Sequence, residues 1–218
     1  MADTLIGIKG PDFVAIACDT YEKYSIITIK NDDESKIMKI GDSKVMMLAG
    51  PLGDRSQFSK MIKATLDYHK YKNSKELSTN AAAHFVRLEL AEYLRQSPYQ
   101  VDMLIAGIDQ DGPKLFWIDY LASCTQADTA VHGYGGFLLR GLLDKEYKPN
   151  MTREEAIALL KKCRHEVQNR FLISQSNFAA KIIDKDGVHD VDIKDDDVPE
   201  AFTSKHHTAY MPIDVTMQ

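Results

Sequence analysis

Cys18, Cys124 and Cys163 are the sulfur nucleophiles of this chain, and their placement limits the chemistry open to it. They are odd in number, far apart and without a Cys-x-x-Cys pair, so neither a disulfide framework nor a zinc site is encoded. Cys18 stands beside Asp19 but inside the apolar run Phe13–Cys18, with no histidine signature nearby. A reactive thiolate needs a cationic, partly open setting, so a core thiol is expected there. The histidines include an adjacent pair, His206-His207, whose side chains cannot both face one ion from a helix; no metal and no cofactor are expected. Gly133-Tyr134-Gly135-Gly136 has the glycines of a phosphate-cradling loop but lacks the Lys-Ser/Thr that would follow them.

Composition removes further classes. A chain of 218 residues, 44% hydrophobic and 27% charged, is long enough for one large domain with a well-buried core. Its formal net charge of -5 and the lack of a basic stripe argue against a nucleic-acid partner, because phosphate binding needs clustered Lys and Arg. No apolar run approaches the ~20 residues that span a bilayer, and the start lacks the charged-then-apolar layout of a secretory leader. The expectation is an intracellular protein with no membrane contact.

The elements that must position any site begin at the first residues. Thr4–Lys9 and Phe13–Asp19 are β-rich runs separated by the turn cluster Gly10-Pro11-Asp12, and both are apolar at nearly every position, as strands covered on both faces are. After the polar passage Thr20–Ser25 come a short strand at Ile26–Ile29, a solvated turn at Asn31–Ser35, and a second hairpin, Lys36–Ile40 with Lys44–Ala49. Two helices follow: one with Asp54 as N-cap running to about Tyr71, one capped by Ser78 and stopped by Pro98. Val101–Gly107 and Pro113–Asp119 form a third hairpin around Asp111-Gly112, and Ser123–Ala127 reads as a short strand. A short helix at Phe137–Leu143 precedes a longer one that starts at the capping box Thr152–Glu155 and runs to about Arg170; Phe178–Asp184 and Val188–Asp192 close the pattern as a hairpin.

Grouped hairpins alternating with helix pairs predict an α+β chain: a four-layer α-β-β-α sandwich of two antiparallel sheets with the first strands in its middle. The domain is expected over residues 1–192, followed by a polar C-terminal tail over 193–218. Two readings of that tail are open. Its low apolar content fits an acidic terminus that cannot offset its ordering entropy, while Phe202, Tyr210, Met211 and Ile213 would serve as anchors for an arm laid on a partner.

Several motifs fall in one order at matching separations: Thr4–Gly10, Ala15–Asp19, Lys36-Ile37, Leu48-Ala49-Gly50, Asp54-Arg55, Leu104–Gly107 and His132-Gly133-Tyr134-Gly135. In these the chain resembles the proteasome β-type subunits, which have the N-terminal nucleophile hydrolase fold. Within that family its start, the Ala130–Gly135 segment and the end of the capped helix, Asn169-Arg170-Phe171, are most similar to the non-catalytic type-2 branch at the fourth position of the eukaryotic β ring.

The resemblance implies a specific chemistry to test. Catalytic members attack a peptide carbonyl with a terminal threonine hydroxyl while the free α-amine, helped by a lysine, handles the proton. Aligned on the shared Thr-Leu, the nucleophile falls on Ala2, which has no hydroxyl; Asp19 matches the family's aspartate, Lys36 its lysine, and Gly50 the glycine whose N–H faces the oxyanion. The family's serine falls on Tyr134 and its second aspartate near Ile173. Thr4 is preceded by Asp3 and not by the glycine at which the family cuts itself. Two residues further along a strand rising ~3.3 Å per residue, it would stand out of reach of Lys36.

The resemblance therefore implies no catalytic residue, a buried Asp19–Lys36 ion pair kept for structure, and a structural role in a core particle of four stacked seven-membered rings of α and β subunits in cytoplasm and nucleus. The rivals are an active threonine peptidase that exposes Thr4 and a stand-alone homo-oligomeric hydrolase of the same fold.

Overall fold

A computed structural model describes residues 3–24, 27–31, 36–173, 175 and 177–193. Ala2, the turn at 32–35 and the tail from Lys194, with its four anchor residues, lie outside the described residues.

The chain runs β1 (Thr4–Lys9), β2 (Val14–Asp19), β3 (Tyr21–Tyr24), β4 (Ile27–Asn31), β5 (Ile37–Gly41) and β6 (Lys44–Ala49), then α1 (Leu52–Asn73) and α2 (Thr79–Tyr93). It continues with β7 (Asp102–Asp109), β8 (Gly112–Ile118), β9 (Cys124–Gln126) and β10 (Thr129–Gly133), then α3 (Gly135–Glu146) and α4 (Arg153–Arg170), and ends in β11 (Phe178–Asp184) and β12 (Gly187–Val191). Among the described residues the strands form two antiparallel five-stranded sheets, ordered β10-β1-β2-β11-β12 and β5-β6-β7-β8-β9, and a separate ribbon of β3 with β4.

Three apolar cores glue four layers together. Leu5, Val14, Ile16 and Cys18 meet Val45, Met47, Leu104 and Leu115 between the sheets. On the far side of the first sheet Ile6, Ile8, Ala15, Ala17 and Ile182 pack under Leu139, Leu143, Leu159 and Val167 of α3 and α4, and Met46, Leu48, Met103 and Ile105 of the second sheet pack under Phe58, Ile62, Val86 and Leu90 of α1 and α2. This is the four-layer sandwich expected of the sequence. Alternate residues of β1 and β2 enter different cores, which is why both strands read as apolar throughout. Each fully buried Leu or Ile contributes about 1.5–3 kcal/mol, so apolar burial dominates stability, and the polar pairs described below mainly fix geometry.

Local departures have local causes. Asp54 does not cap α1: the helix begins at Leu52 after Pro51, and the Asp54 carboxylate accepts from the Gln100 amide at 3.0 Å. Pro51, the residue at the N-cap, has no side-chain oxygen to accept from the first-turn N–H groups. Ser78 caps α2 as expected, accepting from Ala81 N, and Thr152 and Glu155 complete the capping box of α4. The polar passage after Asp19 contains β3, and the segment before Gly133 contains β10; both strands escape hydrophobic patterning because pairing with β4 and β1 forms them. No helix among the described residues is long and apolar enough to cross a membrane.

Candidate functional site

At one end of the first sheet the residue before β1, the end of β2, β3, the residue before β5 and the β6–α1 junction bring charged groups together. Lys36 is the hub. Its side chain is fully buried, and Nζ donates to Asp3 Oδ1 at 2.6 Å, Asp19 Oδ1 at 2.9 Å and the Tyr21 carbonyl at 2.9 Å. Asp19, wholly buried, also accepts from the Thr4 amide at 2.8 Å and, through Oδ2, from Lys23 Nζ at 2.9 Å. The expected Asp19–Lys36 pair is thus present, within a larger cluster.

Gly50 completes the arrangement. Its backbone φ of 142° lies where only glycine sits without strain, as the chain turns out of β6 towards α1. The Gly50 N–H donates to Asp3 Oδ2 at 3.0 Å, and its carbonyl accepts from Arg55 Nε at 2.9 Å. Arg55 Nη2 pairs in turn with Glu22 of β3. One carboxylate, Asp3, therefore bridges the buried ammonium and the Gly50 amide.

Burial alone would weaken the Lys36 ammonium, but the carboxylates of Asp19 and Asp3, with their hydrogen bonds, outweigh it and hold its pKa above the ordinary lysine value. A lysine held this firmly protonated is a poor proton acceptor at neutral pH. Burial, with Asp19 beside it, pushes the Cys18 thiol far above the thiol range and disfavours the thiolate that a nucleophilic cysteine needs. Among the described residues no group of three His, Cys, Asp or Glu side chains is arranged to hold a metal.

The proteasome subunit family model matches residues 1–183, most of the chain. The chain belongs to the proteasome subunit family. It is 40% identical over 209 residues to the rice protein named proteasome subunit beta type-2, covering 94% of this chain and 98% of the relative. It is 37% identical over 193 residues to the Saccharomyces cerevisiae protein named proteasome subunit beta type-4, covering 87% and 97%, and 35% identical over 190 residues to the Dictyostelium discoideum beta type-2 subunit, covering 85% and 95%.

For a proteasome subunit the place that matters is the one facing both the lysine and the glycine amide. The alignment on Thr-Leu puts Ala2 there, outside the described residues; among those described, Asp3 is the residue that makes both contacts. Thr4 faces away from Lys36 for a different reason from the one rise per residue suggests. It lies one position from Asp3, but the pleat turns its side chain the other way: Oγ1 donates to Gln175 Oε1 at 2.7 Å, and its methyl would stand 2.6 Å from a Cβ on Gly135 of α3. Tyr134 is largely exposed, and Ile173 contributes no charge.

Sequence reasoning missed Asp3, Lys23 and Gln175. A signal for Asp3 was present: measured from Gly7 and the alternation of β1, Asp3 falls on the side opposite Thr4, Ile6 and Ile8, the last two of which enter the core under α3 and α4.

Proposed function

We propose that this chain is a non-catalytic, structural β subunit of the proteasome core particle. The observation that carries the reading is the Asp3 carboxylate clasped by Lys36 Nζ and the Gly50 N–H, where a threonine hydroxyl would have to stand. A carboxylate there has no proton to give up and no hydroxyl to add to a carbonyl. It also fills the amide that would otherwise polarise a substrate oxygen. Asp19 and Lys36 serve structure, tying β1, β2 and β5 together. The subunit stands at the fourth position of the β ring in an assembly of four stacked seven-membered rings, walls the chamber in which neighbouring subunits cut peptide bonds, and works in the cytoplasm and nucleus. The relatives' names, proteasome subunit beta type-2 and beta type-4, support the assignment to a β subunit, and large exposed apolar side chains such as Tyr71 on α1, Leu88 on α2 and Phe137 on α3 suit a chain with partners on several sides.

The test is the mass and first residue of this chain inside its native complex, with a threonine-directed covalent inhibitor added. The expected result is a chain that retains Asp3, takes no adduct, and co-purifies with other α and β chains. A chain beginning at Thr4 and carrying the inhibitor would overturn the proposal, as would isolation as a homo-oligomer.

A further inference from the structure

We propose that the Lys36 ammonium and the Gly50 amide form a preorganised carboxylate-binding site, and that Asp3 is its resident ligand, supplied by the chain itself. The inference rests on the non-catalytic reading of the same site and adds to it what the site recognises. Each Asp3 oxygen has its own donor, Oδ1 taking Nζ at 2.6 Å and Oδ2 taking the Gly50 N–H at 3.0 Å, so the whole carboxylate is read.

Both donors are held without help from Asp3. Lys36 is anchored by Asp19 and the Tyr21 carbonyl, each at 2.9 Å; Gly50 is oriented by its left-handed backbone and by Arg55 Nε on its carbonyl. Charge points the same way. The fully buried Lys36 ammonium pairs with Asp19 and takes Asp3 as a second anion. A buried ammonium and a half-buried amide each lose hydrogen-bonding options on leaving water, which makes an anion at this point part of the fold. The ligand class is a small carboxylate. The fragment removed by Asp3→Gly is acetate itself.

The experiment uses assembled particles carrying Asp3→Gly and follows hydrogen exchange in the peptide spanning Gly50. The variant is expected to exchange at that amide about tenfold faster than the parent. Sodium acetate at about 100 mM restores protection in the variant and changes nothing in the parent, whose site is full. Equal sodium chloride or neutral acetamide does not restore it, nor does acetate in Asp3→Gly/Lys36→Met. Recovery that is equal with chloride, or that persists without Lys36, overturns the proposal, and so does no recovery at all. If the variant does not assemble, the full-length variant chain is refolded instead: acetate is expected to raise the folded yield several-fold over chloride, and equal yields overturn the proposal. Inhibitor labelling of the parent would sink the non-catalytic reading by itself, whereas failed acetate recovery sinks only this inference.

Discussion

Replacing Lys36 with methionine tests whether the cluster is a structural hub. Methionine keeps much of the aliphatic stem but deletes the ammonium, and with it bonds to Asp3, Asp19 and the Tyr21 carbonyl. Two carboxylates, 7% and 0% exposed, then face one another, held among the described residues by the Thr4 and Gly50 amides and Lys23. Removing one partner of a buried ionic cluster costs about 3–5 kcal/mol, against a total stability of about 5–15 kcal/mol for a domain. At a urea slope of about 2 kcal/mol per molar, the unfolding midpoint of the full chain should fall by roughly 2 M. Lys36→Met and Asp3→Ala should also be non-additive by about 1–3 kcal/mol, because each removes the other's partner. The pH dependence has a definite sign. In the parent the folded pKa of Lys36 is raised, so its contribution is complete below the unfolded value of 10.5 and is lost only as pH rises through the higher folded value. A midpoint within experimental error of the parent, or strict additivity with Asp3→Ala, would refute the hub.

His132 gives a second pH signature. It is buried, stacked on Trp117 with ring centroids 4.6 Å apart, and its Nε2 lies 3.1 Å from the Met103 carbonyl; burial lowers its pKa from 6.5 to about 4, the Met103 contact opposing without prevailing. Because the unfolded chain takes up this proton first, about 3 kcal/mol should be lost as pH falls from 6.5 to about 4, and His132→Gln should flatten that slope in urea titrations. Gly135→Ala should destabilise by about 1–3 kcal/mol, since its Cβ would press on Thr4, and Thr4→Ala should relieve part of the loss. Thr152→Ala should cost about 1 kcal/mol by removing the bond to the Glu155 amide, read as a lower melting temperature with unchanged assembly.

Much of the framework was legible in the chain itself because it is written in local chemistry. The apolar runs of β1 and β2, the Asp111-Gly112 turn, the Ser78 cap and the Thr152–Glu155 box each determine their element through neighbours a few residues away, and layer order follows from grouping hairpins and helices. Strands β3 and β10 were hidden because their partners, not their own patterns, make them strands.

The site divides along the same line. Asp19, Lys36 and Gly50 stand out in sequence as motif residues, but which side chain meets them depends on how the pleat of β1 turns at the first sheet's edge. A shift of one residue moves a side chain to the opposite face, so linear spacing alone could not choose among Ala2, Asp3 and Thr4. Tertiary structure supplies what spacing lacks: it sets a buried ammonium beside a half-buried amide, and among the described residues the carboxylate that meets both within hydrogen-bond reach is the one on Asp3.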